Sequence, residues 1–386
     1  MAGRREKLDR SDPFARRRPP SLEELTNAML TPSTPVSAAQ TVDIFEIHPD
    51  PTQPRRSVPS TVREHWDGRP ETITSMFGAW INAYARECEV GFDVAQTRIL
   101  KILAGEDTAR AQDDSKDPGS IGQSLLKVVD LAASIHAEGL VNPVTLTRME
   151  EGYRIETGER RWLAYHLLYS VSGEDWRQIP ASVGDEVNVW KQAYENNARD
   201  NLNAIGKARQ FATLLMDLLE RHQGLEFAPF HAFDDDQHYY AQVADSERFG
   251  IPRGYGEVII TAMGVTNRSV TTRFRNLLKL PALTWTAADD LNWSERKLRM
   301  LTSIPEDRAV RLTARWAAEE NYVLPVGNIP DEPPKPDDTP ADILNHVLNK
   351  SRRDIERKLR KVDRMQALDM IETYERWLQD LKRKLQ

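Results

Sequence analysis

Most of the chain shows apolar positions at helical spacing, so the pattern predicts an ordered and mostly helical protein. Alternation typical of strands is confined to four segments, 41–47, 141–149, 153–157 and 179–183. The turn Glu151-Gly152 predicts a hairpin between the second and third segments. An amphipathic helix at 125–137, closed by Gly139, precedes this hairpin and another helix follows it, which predicts a small α/β domain.

The elements divide the chain into successive regions of an α+β multidomain protein. We expect a flexible basic tail at 1–40, an α/β domain at 41–187 with a helical insertion at about 60–122, a helical domain at 188–327, a linker at 328–340 and a helical or coiled-coil segment at 341–386. In the insertion, the stripe that contains Trp80 and Tyr84 is expected to belong to the core.

A charged turn follows the strand 153–157. Gly158, Glu159, Arg160 and Arg161 stand where the strand gives way to a helix. Glycine permits close backbone approach, a first helical turn has unpaired N–H groups, and arginines bind phosphate oxygens, so this turn suits a phosphate group. A solvated helix face has the same composition, and the turn alone leaves both interpretations open.

Two other polar segments are candidates for chemistry. Prolines at 49, 51 and 54 hold Gln53, Arg55 and Arg56 on a stiff loop, where the arginine pair could also address phosphate. Residues 195–202 give the next predicted helix a polar end, which most often is only a solvated terminus.

Residues 257–280 predict two helices around a turn near Gly264. In a helix-turn-helix, polar groups near the start of the second helix contact base edges and nearby cations contact phosphates, although an ordinary helical hairpin has the same pattern. The outward face of the second helix is expected to carry Asn267, Arg268, Thr271, Thr272, Arg273, Arg275 and Lys279.

Composition limits the kinds of site and the cellular location that the sequence allows. The net charge is −7, so contact with nucleic acid requires a local basic face. Cys88 is the only cysteine, which excludes an intrachain disulfide and a site of several thiolates, and no apolar run could span a bilayer, so we expect a cytoplasmic protein. The acidic segment 224–256 carries His231, Asp234, Asp235, Asp236 and His238, which could hold a metal ion, but their spacing defines no coordination geometry and a mobile loop is the better interpretation.

Four segments then occur in an order that is typical of one family. They are QPRR at 53–56, GLVNP at 139–143 with GERRWLA at 158–164, ENNARDNLNAIGKA at 195–208, and the two helices that end in LLKLP at 277–281. In these motifs the chain resembles the ParB chromosome and plasmid partition proteins.

This resemblance implies a sulfiredoxin-like α/β domain that binds CTP with Mg²⁺, a central helix-turn-helix domain and a C-terminal helical dimerisation segment. Glu195 and Asn196 would lie near the metal, and Glu195 would be the candidate catalytic residue if CTP is slowly hydrolysed. The matching positions for the nucleotide are Gln53, Arg55, Gly158, Glu159, Arg160, Arg161, Glu195, Asn196 and Arg199.

The function implied by the resemblance is a CTP-gated clamp on DNA in plasmid or chromosome partition. Its expected partners are double-stranded DNA, a second copy of the chain and a ParA-type ATPase contacted through the basic tail, with a nucleoid-associated location in the cytoplasm. Two alternatives stay open: a ParB-like transcriptional regulator without a partition role, and a nuclease on the same fold.

Overall fold

The computed structural model describes residues 40–106, 116–185, 188–198 and 202–324. These residues are mostly helical and include a small sheet of five strands, in agreement with the predicted α+β class. The expected tail, except for Gln40, the linker at 328–340 and the C-terminal segment at 341–386 lie outside the described residues.

The strands are β1 (Gln40–Asp43), β2 (Ile47–His48), β3 (Val144–Arg148), β4 (Tyr153–Thr157) and β5 (Gln178–Gly184). The helices are α1 (Ser60–Arg63), α2 (Ile73–Glu87), α3 (Phe92–Leu103), α4 (Ser120–Glu138), α5 (Glu159–Ser172), α6 (Val189–Ala198), α7 (Ala204–Gln223), α8 (Asp236–Ala241), α9 (Gly256–Ala262), α10 (Arg268–Leu277), α11 (Ala282–Asp290), α12 (Glu295–Leu301) and α13 (Glu306–Glu319).

The sheet has the order β1-β5-β3-β4-β2. β3 and β4 form the predicted antiparallel hairpin, β1 pairs antiparallel with β5, and the pairs β3–β5 and β2–β4 are parallel. Segment 41–47 was predicted as one strand, and that prediction is wrong: Asp43 accepts a hydrogen bond from the backbone N–H of Phe45 and starts a 3-10 turn at Ile44–Glu46. The chain leaves one edge of the sheet at this turn and reaches the other edge as β2.

The core of the α/β part lies between the sheet and helices α4 and α5. Leu146 and Ile155 on the hairpin are fully buried, as are Trp162 and Leu163 on α5. Gly139 ends α4 with a positive φ of 80°, which is a conformation that glycine adopts without strain. The end of α4 was therefore predicted correctly, whereas its start lies five residues earlier than predicted.

The earlier start of α4 is explained by the insertion. Glu87, the last residue of α2, accepts hydrogen bonds from the backbone N–H groups of Ile121 and Gly122, so it caps α4 from outside. Trp80 is fully buried and Tyr84 nearly so, and the prediction that they belong to the core is confirmed.

The second half of the described chain is helical. Two helices, α6 and α7, occupy the region where the sequence predicts them. Segment 224–256 is not simply a loop, because it contains α8, whose first residue Asp236 forms ion pairs with Arg56 and Arg209. No helix among the described residues is long and apolar enough to cross a membrane.

Candidate functional site

A cavity of about 490 Å³ opens where β4 turns into α5. It brings together segments that are far apart in sequence, including the proline-arginine loop, the end of α4, the charged turn and α6. Seven of the candidate nucleotide residues line it: Gln53, Arg55, Gly158, Glu159, Arg160, Arg161 and Asn196. The side chain of Glu195 and the whole of Arg199 lie outside the described residues.

Gly158 makes the turn at the base of the cavity possible. Its φ is 101°, in the left-handed region that favours glycine, and a Cβ atom there would lie 2.9 Å from Cγ1 of Val144. Helix α5 starts at the next residue and has no side-chain cap, so its first N–H groups face the cavity end of the helix. The turn therefore has the backbone geometry of an anion site.

The two arginines of this turn have different environments. Arg161 donates from Nη1 to the carbonyl oxygens of Asn142, at 2.6 Å, and Pro143, at 2.5 Å, so it ties the turn to the loop after α4. Within the described part of the chain, the guanidinium of Arg160 forms no hydrogen bond. Burial lowers the pKa of Arg160, and the charge of Glu159 offsets only part of this effect. Arg160 is thus a half-buried cation whose donors are available to a ligand.

Residues 52–61, which we call the strap, form one wall of the cavity. Gln53 donates from Nε2 to the carbonyl oxygens of Ile155, at 2.5 Å, and Glu156, at 2.8 Å, which fixes the strap to the end of β4. Glu159 accepts from the N–H of Ser57 at 3.1 Å. The strap is therefore joined by direct hydrogen bonds to β4 before Arg55 and to the charged turn after it.

The carboxylate of Glu159 is engaged with the scaffold. It is buried, accepts from Ser57, and lies 3.6 Å from Nη2 of Arg63 on α1. Burial lowers the pKa of Arg63 to about 10, and the nearby charge of Arg56 acts in the same direction. Glu159 contributes to the cavity by holding the strap and α1 in place.

A second cavity, of about 440 Å³, lies on the other side of the strap. Arg55, Ser57 and Arg160 line both cavities. Lys127 from α4 and the carboxylates of Asp289 and Asp290 at the end of α11 complete this second cavity. Both cavities therefore have linings of mixed charge, and Arg160 stands between them.

Sequence reasoning missed several residues that line the first cavity. Gln192 is one: it lies one helical turn before Asn196 on α6 and donates from Nε2 to the carbonyl oxygen of Glu156 at 3.1 Å. The spacing of four residues was a usable signal. The apolar lining residues Leu131 and Ile135 on α4 gave no separate signal in the sequence, whereas Leu140 and Val141 belong to the motif GLVNP.

Helices α9 and α10 occupy the candidate DNA-binding region, and the turn between them was predicted correctly. Asn267 is the N-cap of α10, where its Oδ1 accepts from the N–H groups of Ser269 and Val270. Arg268 is exposed, and a Cβ atom at Gly256 would overlap with its Nη2, so its guanidinium lies against the first residue of α9.

The predicted outward face of α10 needs two corrections. Thr271 and Arg275 are buried, with exposed fractions of 2% and 6%. Thr271 donates to the carbonyl oxygen of Arg268, and the guanidinium of Arg275 lies over the ring of Phe211 on α7, where burial lowers its pKa. These side chains face α7 because α10 packs against that helix.

The exposed side of α10 contains Arg268, Thr272, Arg273 and Asn276, and Lys279 follows the helix. Asn276 was missed, although it lies four residues after Thr272 and so shares its face. Among the described residues, no group of three or more His, Cys, Asp or Glu side chains is arranged to hold a metal ion. Asp236 of the acidic cluster is instead paired with arginines.

The fold and cavity describe a mostly helical protein with a small sheet and an arginine-containing pocket of mixed charge at a strand-to-helix turn. Comparison with known proteins shows which family part of this chain resembles. Residues 121–190 match the ParB N-terminal domain, a segment that contains GLVNP and GERRWLA. The predicted resemblance to the ParB proteins is confirmed for this segment. The strap, the motif at 195–208 and helices α9 and α10 lie outside the matched segment.

Several curated relatives share part of the sequence. The nucleoid occlusion protein of Bacillus pumilus is 30% identical over 139 residues, which are 34% of this chain and 44% of the relative. The nucleoid occlusion protein of Oceanobacillus iheyensis is 26% identical over 47% of this chain and 51% of the relative. The probable chromosome-partitioning protein ParB of Coxiella burnetii is 33% identical over 24% of this chain and 31% of the relative. The chain thus spans about a third to a half of the length of these relatives.

Proposed function

We propose that the protein binds DNA in a partition-type role and that the cavity beside Gly158 binds CTP with Mg²⁺. One observation carries the nucleotide part: the strap, the charged turn and α6 meet around a single cavity with seven candidate residues on its lining. Its volume lies within the range of about 300 to 1,000 Å³ that is typical of small-molecule pockets.

The residues of the cavity fit a nucleoside triphosphate. Arg160 is a cation without a hydrogen bond among the described residues, and the start of α5 has no side-chain cap, so both can bind phosphate oxygens. The apolar residues Leu131, Ile135 and Leu140 offer a wall for a base. Asn196 provides an amide near the same space.

The phosphates of the bound nucleotide would supply the negative charge that the cations of the cavity bind. Arg160 would hold phosphate oxygens, while Arg161 keeps the loop at 139–143 closed on the turn through its two carbonyl contacts. Gln53 would keep the strap registered on β4. Asn196, together with Glu195, is the proposed group near Mg²⁺, because amide and carboxylate oxygens are suitable ligands for this ion.

The nucleotide proposal is tested by calorimetry on the purified chain with CTP, ATP, GTP and UTP in the presence of Mg²⁺. We expect saturable binding with a preference for CTP. Equal weak binding of all four nucleotides, or none, would refute the proposed nucleotide site while leaving DNA binding to be tested separately.

For DNA, the proposal is that the exposed side of α10 contacts the duplex. Its first turn carries Arg268 and is followed by Thr272, Arg273 and Asn276, which is the arrangement of polar groups and cations that groove-binding helices use. The names of the relatives, nucleoid occlusion protein and chromosome-partitioning protein, support a role on the chromosome.

The DNA proposal is tested with a duplex selected by the protein from random sequences. Arg268→Ala should weaken binding to that duplex by roughly 1 to 3 kcal/mol if the guanidinium contacts a base. Arg253→Ala, in the loop before α9, is the control. An unchanged affinity in Arg268→Ala would remove this residue from the interface.

In the complete proposal, nucleotide binding closes two protomers around DNA as a clamp. It requires the nucleotide to bind the closed arrangement more tightly than the open one. The expected dimerisation segment at 341–386 and the tail proposed to contact a ParA-type ATPase lie outside the described residues.

The nucleoid occlusion relatives favour a second candidate, a chromosome-bound regulator without a partition role. A genome-wide binding map separates the two. Spreading from a few sites supports the clamp, and isolated peaks at promoters support the regulator.

A further inference from the structure

The strap carries two consecutive arginines with different surroundings. Arg55 lines the candidate nucleotide cavity. Arg56 is directed to the helical half of the molecule, where its Nη2 lies 3.2 Å from Oδ2 of Asp236, and only 9% of its side chain is exposed. Because adjacent residues share a peptide unit, a displacement of the backbone at Arg56 also displaces Arg55.

Asp236 is itself held rigidly. Arg209 donates from both Nε, at 3.0 Å, and Nη2, at 2.7 Å, to the same Oδ2 atom. Burial alone would raise the pKa of Asp236, but the positive charges of Arg209 and Arg56 outweigh it and hold the pKa below its usual value. The ion pair is therefore a fixed point to which the strap is attached.

Other contacts attach the strap to the same half of the molecule. Tyr240, four residues after Asp236 on α8, donates from its hydroxyl to the carbonyl oxygen of Thr52 at 2.9 Å. Asp290 at the end of α11 accepts from the N–H groups of Ser60, at 2.7 Å, and Thr61, at 3.1 Å. The strap is thus held at both ends and in its middle by helices outside the α/β part.

The short helix α8 also contacts the candidate DNA-binding helix. Gln237, which follows Asp236, donates from Nε2 to the carbonyl oxygen of Leu278 at 2.7 Å, and this bond is buried. Leu278 is the C-cap of α10. Two consecutive residues of α8 therefore contact the strap on one side and the end of α10 on the other.

We propose that Asp236 is a positioning residue for Arg55, because Asp236 fixes Arg56 and thereby sets where Arg55 stands in the cavity. Helix α8, which carries both Asp236 and Gln237, then links the cavity to the end of α10. This inference rests on the proposed function for the role of Arg55 in nucleotide binding. The position of the strap itself does not depend on that function and can be measured without a ligand.

The first test uses hydrogen–deuterium exchange on the ligand-free chain. Asp236→Asn keeps the shape of the side chain and removes the charge, and Asp234→Asn is the matched control because Asp234 is exposed and lies two residues away. Backbone amides of the strap should exchange at least about tenfold faster in Asp236→Asn than in wild type, with no change in Asp234→Asn. Equal exchange in both variants would overturn the proposal.

The second test measures CTP affinity with Mg²⁺ by calorimetry. We expect Asp236→Asn to weaken binding by about tenfold, Asp234→Asn to leave it unchanged, and Asp236→Glu to restore part of the loss. If Asp236 acts through Arg56, Asp236→Asn should have little further effect in an Arg56→Gln background. Full additivity of the two variants would overturn the proposal.

The remaining outcomes are distinguishable. If the wild type does not bind CTP, the proposed function is wrong and the exchange test alone decides whether Asp236 positions the strap. If Asp236→Asn does not fold, Arg56→Gln replaces it in both tests, with Arg154→Gln as its exposed control.

For the link to α10, CTP should slow exchange at the amides of residues 278–280 in wild type and not in Asp236→Asn. The same slowing in both proteins would remove α8 from the link.

Discussion

The arginines on the two sides of the strap differ in whether they already have a carboxylate partner. On the side of the helical half, Arg56 and Arg209 pair with Asp236, and Arg209 also lies 2.7 Å from Asp289. On the cavity side, Arg160 forms no hydrogen bond within the described residues. Charges that are already paired hold the structure together, whereas a half-buried cation without a partner is prepared for a ligand. Substitutions on the first side should change stability, and those on the second should change binding.

The largest effect is expected from Arg209→Leu. Arg209 is 1% exposed, and its removal takes the nearest cation away from the buried carboxylate of Asp289 and from the partly buried carboxylate of Asp236, which keeps only Arg56, so the free energy of unfolding should fall by about 3 to 5 kcal/mol. Urea denaturation measures this. Arg221→Leu is the control, because Arg221 forms an exposed pair with Asp217 and should cost less than about 1 kcal/mol. Similar small losses for both variants would contradict a stabilising role of the buried network.

On the side of the helical half, the stability of the protein should also depend on pH through Asp290. Asp290 forms no ion pair with any described residue, and burial raises its pKa from 3.8 to about 6, with the charge of Asp289 adding to this rise. The folded state then binds a proton more tightly than the unfolded state between these values, so stability should decrease as the pH rises from about 4 to 6. The decrease that Asp290 contributes is at most about 3 kcal/mol.

The contribution is isolated by comparing wild type with Asp290→Asn in urea denaturation at several pH values. The difference in unfolding free energy between the two proteins should change across pH 4 to 6 and level off above it. Asp175→Asn, which removes a carboxylate at an exposed position, is the control. A pH-independent difference for Asp290→Asn would show that the carboxyl titrates normally.

On the cavity side, Arg160→Ala should affect binding without affecting stability. Loss of hydrogen bonds from a charged donor to phosphate corresponds to about 2 kcal/mol, or about thirtyfold in CTP affinity. Calorimetry gives the affinity, and thermal melting should show a melting temperature close to that of wild type. Arg154→Ala, on the exposed face of β4, controls for the loss of one positive charge. A large drop in melting temperature with unchanged CTP affinity would reverse the assignment of the two sides.

The sequence predicts the elements around the cavity well because local signals specify them. Alternation defines Tyr153–Thr157, and Gly158 and Gly139 mark the turns at which β4 and α4 end. The motifs also identify the residues that meet at the cavity, although nothing local shows that the strap and α6 approach the turn. The resemblance to a family supplied that arrangement.

The residues that could not be predicted are those whose role depends on distant partners. Arg55 and Arg56 look equivalent in the sequence, and only the position of Asp236, 180 residues after Arg56, separates their roles. Asp236 in turn resembles a member of a solvated acidic loop until Arg209 is placed against it. Thr271 and Arg275 appear polar and outward on a helix, but packing of α10 on α7 buries them.

Arg161 gives the smallest and most discriminating test of the comparison, because it lines the cavity and yet is engaged with the scaffold. Its Nη1 donates to Asn142 and Pro143, so Arg161→Met should lower the free energy of unfolding by about 1 kcal/mol and speed amide exchange in the loop at 139–143. CTP affinity should fall less than in Arg160→Ala, since Arg161 acts on the cavity mainly through this loop. If Arg161→Met instead reduces affinity as much as Arg160→Ala and leaves loop exchange unchanged, both arginines contact the ligand directly, and the carbonyl contacts of Arg161 give way when the nucleotide binds.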